Sequence, residues 1–140
     1  MSVAMRSFFR YALVGFAWMF LAAIVAQVYF AGLMLFGQEG GHELHVESGY
    51  MLGTAAVLFL ALPALARAGM RTVVLGVVLG LITFFQPTLT FAREESPLIA
   101  ALHPVNALLI FALSVVMIRR AMRLVREQRA PVAPAAVTPV

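Results

Sequence analysis

Four stretches of the chain contain no charged side chain: Tyr11 to Gln38, Ser48 to Ala66, Thr72 to Ala92 and Ser96 to Met117. A helix needs about 20 apolar residues to cross a hydrocarbon core of about 30 Å. Each stretch meets or approaches that length, and the segments between them are short. Inside lipid every backbone polar group must be paired within the protein, so runs of this kind fold as helices. The sequence therefore predicts an all-α, membrane-embedded, up-down four-helix bundle. Its helices are expected at about 11–36, 46–66, 72–91 and 98–118, within one domain spanning 1–129.

Composition excludes the main alternatives. Hydrophobic residues make up 63% of the 140 and charged residues 11%, against about 25% charged in a soluble domain. A domain of this size could not bury that much apolar surface in water. A water-soluble enzyme, a nucleic-acid-binding domain and a disordered chain are all excluded, despite the net charge of +4. There is no cysteine, hence no disulfide, no thiolate metal site and no covalent haem attachment. A cleaved signal peptide is a poor reading of the first span. The run after Arg6 and Arg10 is far longer than the ~7–15 residues of a signal core.

The basic residues fix an orientation. All ten are arginine. Arg6 and Arg10 precede the first span, Arg67 and Arg71 lie between the second and third, and Arg119, Arg120, Arg123, Arg126 and Arg129 follow the fourth. With four crossings these share one side, and only Arg93 falls on the other. Glu39, Glu43, Glu47, Glu94 and Glu95 oppose them, and Glu127 stays with them. The positive-inside rule then predicts a multi-pass protein of a bacterial inner membrane with both termini cytoplasmic. Arg119 to Arg129 is expected to continue the fourth helix toward anionic headgroups. The proline-rich end, 130–140, reads as a disordered cytoplasmic tail.

Inside this frame, two histidines stand out. Leu44-His45 opens the second span and Leu102-His103 the fourth. A small residue, Gly49 or Ala107, follows each histidine by four positions. Upstream, Gln27 and Gln86 lie 18 and 17 residues before them. Two hairpins that start on the same side would form a parallel repeat about an axis along the membrane normal. Spans two and four are then diagonal, and His45 and His103 face each other across the core near the outer leaflet. Ionisable groups in membranes usually face the bundle interior, and two opposed imidazoles can grip a haem iron from both faces. Each needs an acceptor for its second nitrogen; Gln27, Gln86, Asn106 or a backbone carbonyl could serve. Gly49, Gly53 and Ala107 would clear room for the porphyrin, and Arg93 could pair with a propionate. The same histidines could instead be interfacial hydrogen-bonding groups, or ligands of another metal or tetrapyrrole.

The remaining motifs are less telling. Gly49/Gly53 and Gly76/Gly80 are GxxxG pairs, flat strips that admit a neighbouring helix or a cofactor ring. Pro63, Pro87 and Pro104 each remove a backbone donor inside a span. His42 lies in the loop GQEGGHELHVE; with Glu43 and Glu47 it could make a surface metal site, but a solvated histidine is the simpler reading. No catalytic grouping is visible and no acid lies mid-span, which disfavours an enzyme or a transporter.

The segments ELHVESGYMLG and LIAALHPVNALLIFALSVVMIRRA resemble a family of uncharacterised bacterial four-helix integral membrane proteins, over about residues 11 to 123. More distantly, the chain resembles one four-helix half of haem A synthase, and b-type membrane cytochromes. His45 and His103 occupy the places of that enzyme's histidines at the outer ends of its second and fourth helices. The resemblance implies haem b bound between helices 2 and 4, for electron transfer or redox support. This chain has one half where the enzyme has two, so a role needing both would require a homodimer. The alternative is a cofactor-free accessory subunit of a larger respiratory, photosynthetic or transport complex, docked through the glycine strips. In either case the lipid bilayer is the first partner.

Overall fold

A computed structural model describes residues 2–129, so the expected tail at 130–140 lies outside the described residues. Seven helical segments make up four spans: α1 (Val3–Leu35), α2 (Gly41–Ala56) with α3 (Leu58–Leu65), α4 (Met70–Phe84) with α5 (Thr88–Phe91), and α6 (Pro97–Ala100) with α7 (Leu102–Arg129). All four spans are long and apolar enough to cross a membrane, so the chain is an all-α multi-pass membrane bundle. Most large apolar side chains away from the core, such as Trp18, Met19 and Leu108, point outward, as a protein solvated by lipid requires.

Neighbours in sequence are neighbours in space. α1 packs on α2, α3 and α7, and α4 packs on α2, α3 and α7. Among the described residues, the backbones of α1 and α4 do not approach each other, and neither do those of α2 and α7. Spans one and three, and spans two and four, are therefore the diagonals.

Two ends of the bundle differ in how they are held. At one end, Arg10 donates to the carbonyls of Ala66 (3.4 Å) and Leu124 (3.2 Å) and to Gln128 (3.4 Å). Ala66 caps α3, so the guanidinium serves a carbonyl that a helix C-terminus leaves without a partner. Arg129 stacks 5.5 Å over the Tyr11 ring and donates to its hydroxyl. Next to this arginine end lies the solid core. Phe16, Phe20 and Phe59 meet there with ring centres 4.8 to 6.0 Å apart, alongside the fully buried Leu13, Leu79 and Met117.

Breaks in the spans follow from missing donors. Pro63 has no N–H, so the Phe59 carbonyl loses its helical partner. One turn earlier the helix is interrupted at Val57, where Leu60 N–H bonds Val57 O, leaving the Ala56 carbonyl outside the ladder. Both oxygens face the third span at its glycines. A β-carbon on Gly76 would sit 2.5 Å from Phe59 O, and one on Gly80 would sit 3.0 Å from Ala56 O. Only glycine lets those carbonyls approach, with its Cα–H as a weak donor. The Gly76/Gly80 strip thus receives a helix of its own chain. Gly53 is buried against the backbone of Thr83 and Phe84. Gly53, Gly76 and Gly80 are thus packed against spans of their own chain.

Helix limits differ from expectation in one informative place. The second span begins at Gly41, five residues before the expected start at 46, so His42 lies in a helix turn and not in a loop. The preceding turn explains it. α1 closes with Gln38 N–H on Leu33 O (2.9 Å) and Gly37 N–H on Met34 O (3.2 Å). Gly37 supplies the left-handed residue this closure needs, at φ 71°. Gly40, at φ 74°, then turns the chain straight into α2. The same closure ends α3, with Ala68 N–H on Pro63 O and Arg67 N–H on Ala64 O. There a bulky residue, Arg67, takes the left-handed position at φ 51°.

Candidate functional site

Away from the arginines the bundle opens into a cavity of about 710 Å³, lined by all four spans. That size suits a cofactor-sized molecule. Its walls include Ile24, Val28, Leu52 and Ile110, and its polar groups include Gln27, Thr83, Gln86, Thr90, His45 and His103.

His45 and His103 come from the diagonal spans whose backbones stay apart. Their ring centres are 6.2 Å from each other, with planes at 71°. His45 Nδ1 donates to the main-chain carbonyl of Gln27 (3.3 Å). His103 Nδ1 donates to the main-chain carbonyl of Gln86 (3.2 Å). A carbonyl only accepts, so the nitrogen facing it carries the proton and Nε2 keeps its lone pair.

Each glutamine also holds its histidine with its side chain. Gln86 Nε2 donates to His103 O (2.7 Å), and Gln86 Oε1 accepts from Asn106 Nδ2 (2.5 Å). The Gln27 amide satisfies its neighbours when its oxygen faces Ser48. It then accepts from Ser48 Oγ (2.5 Å) and Gly49 N (2.8 Å), and its nitrogen lies 3.1 Å from His45 O and 3.0 Å from His45 Nδ1. His45 Nδ1 thus lies within reach of both the Gln27 amide nitrogen (3.0 Å) and the Gln27 carbonyl (3.3 Å), whereas His103 Nδ1 meets the carbonyl of Gln86. Ser48 and Asn106 both stand three residues after their histidine. The two clusters share a plan: glutamine carbonyl to ring, glutamine amide to histidine carbonyl, and a polar residue one turn on.

Backbone chemistry places Gln86. Pro87 gives Thr83 O no donor, so Gln86 N–H turns to Thr83 O (3.2 Å). Ile82 O is thereby freed and receives Asn106 Nδ2 (3.1 Å). The end of α4 is built around a proline and repaired by a side chain of α7. Among the described residues no buried side-chain nitrogen or oxygen lacks a partner.

The other expected site residues divide. Gly49 and Ala107 line the cavity; Gly53 does not, being packed on α4. Gly49 faces the Gln27 side chain at 3.5 Å. Arg93 reaches the rim but is paired loosely with Glu94 at 3.9 Å, both highly exposed. His42 lies near Met34 Sδ at 3.4 Å and is exposed. Among the described residues, no three of His, Cys, Asp and Glu cluster to hold a metal ion, so the three-ligand surface site at His42, Glu43 and Glu47 is not assembled. A two-imidazole set falls below that count by its nature. Ser48, Thr83 and Thr90 belong to the site without having been singled out; a lone hydroxyl inside an apolar run looks like any helix residue that bonds its own backbone.

The chain matches no family model, and neither the curated proteins nor the solved structures contain a detectable relative.

Proposed function

We propose that the protein binds one b-type haem between its second and fourth spans, which His45 and His103 would hold, for electron transfer or redox support. The observation that carries this reading is the imidazole pair. The two rings, from diagonal spans, stand with centres 6.2 Å apart, close enough for one metal to be held between them. Both have an acceptor at Nδ1, the setting in which histidine offers Nε2 to a metal. The apolar walls would exclude water and, with the hydrogen bonds at Nδ1, tune the potential. Bound haem would supply a one-electron couple; the polypeptide holds it, orients the rings and keeps the site dry. Arg93, exposed at the rim, would exchange Glu94 for a propionate.

The arginine-rich end is assigned to the cytoplasm of a bacterial inner membrane by the positive-inside rule, which sets the haem nearer the outer surface. The test is an absorption spectrum of detergent-purified protein from a haem-sufficient host, oxidised and then reduced with dithionite. A Soret band that shifts on reduction, with a sharp α band, supports the reading. A flat visible spectrum of folded protein overturns it and turns attention to a cofactor-free role in a larger complex.

A further inference from the structure

We infer that Gln27 and Gln86 are paired positioning residues, each holding its own histidine as the Nδ1–H tautomer so that both Nε2 atoms are left as ligands. The inference rests on the haem reading for what Nε2 binds; the tautomer itself is a property of the polypeptide.

Residue 86 grips residue 103 twice. Its carbonyl receives the ring, and its side-chain amide ties the His103 carbonyl and Asn106 into one network. The ring alone could turn away, because a single 3.2 Å hydrogen bond is a weak restraint on a histidine. The amide fixes the register of α7 against the end of α4, and with it the distance from Nδ1 to the carbonyl. Gln27 stands in the same place behind His45: its carbonyl faces Nδ1, its amide reaches the His45 carbonyl, and Ser48 lies where Asn106 lies in the other hairpin. Two unrelated backbone settings deliver the same arrangement: Gln27 lies inside the continuous α1, and Gln86 follows the end of α4. A bundle that needed only packing has no cause to build this twice. A histidine that must present one particular nitrogen does, since the choice of nitrogen is set by the bond that the other one makes.

The experiment is nitrogen NMR of histidine-labelled, full-length protein in detergent, made without haem, for the wild type, Gln27→Met and Gln86→Met. The exposed His42 serves as reference. The wild type is expected to show protonated Nδ1 and unprotonated Nε2 at both His45 and His103. Gln86→Met should lose that signature at His103 alone, and Gln27→Met at His45 alone. Effects on both histidines in each variant, or on neither, overturn the inference, as does Nε2–H in the wild type. Should one variant fail to fold, the other carries the test for its own histidine. A protein that behaves as expected here yet stays colourless with haem overturns the haem reading and leaves this one intact.

Discussion

His45 and His103 are 6.2 Å apart between ring centres, although α2 and α7, which carry them, make no backbone approach. Only side chains close that diagonal. The pair is therefore maintained by what stands behind each ring, the carbonyls of Gln27 and Gln86, and not by helix packing.

His45→Ala and His103→Ala should each abolish the haem spectrum while the protein still inserts and keeps its helix content. Absorption per mole of purified protein checks this. Full haem occupancy in either variant would show that the altered histidine is not a ligand.

Gly76→Ala should destabilise the bundle by about 1–3 kcal/mol, the usual cost of overpacking, because the new methyl meets Phe59 O and Pro63. Gly15→Ala, where nothing lies within 4 Å, should be neutral or stabilising by up to about 1 kcal/mol. Thermal unfolding of the two variants in one detergent compares them directly. Equal effects would mean that the glycine–carbonyl contact is not what orders the third span.

Arg10→Ala should cost about 1–2 kcal/mol, since a half-buried charged donor to two helix carbonyls is lost. Arg10→Lys should recover little of it, because one ammonium cannot reproduce the planar fork. The loss should show as a lower unfolding midpoint without any change at the histidine end; a changed haem spectrum would contradict the division of the bundle into two halves.

Asn106→Leu should cost about 1–3 kcal/mol, the penalty of leaving Ile82 O and Gln86 Oε1 without donors in an apolar setting. Asn106→Gln, with its amide displaced by one methylene, should be intermediate. Chemical unfolding curves measure both, and an Asn106→Leu variant as stable as wild type would show that water or another group supplies the donors.

Much of this was legible because charge and apolarity speak directly about membranes. The four charge-free runs locate the spans, and the nearly equal spacings from Gln27 to His45 and from Gln86 to His103 point to the repeated site. What escaped was decided by backbone partners. Nothing in the residues around Val57 announces a break; the proline that a reader would notice is Pro63. The second span starts early because Gly37 and Gly40 fold the chain back within a few residues. Ser48 gives no sign that it stands where Asn106 stands in the other hairpin. The spacing of Gly76 and Gly80 announces a neighbouring helix, but not that the neighbour is the preceding span or that it presents carbonyls stripped of donors.

Each hairpin supplies one histidine and one glutamine, and His103 opens the last span. A chain that has inserted only three spans holds Gln27, His45 and Gln86, with one imidazole and nothing opposite it. The imidazole pair exists only once the fourth span stands beside the other three.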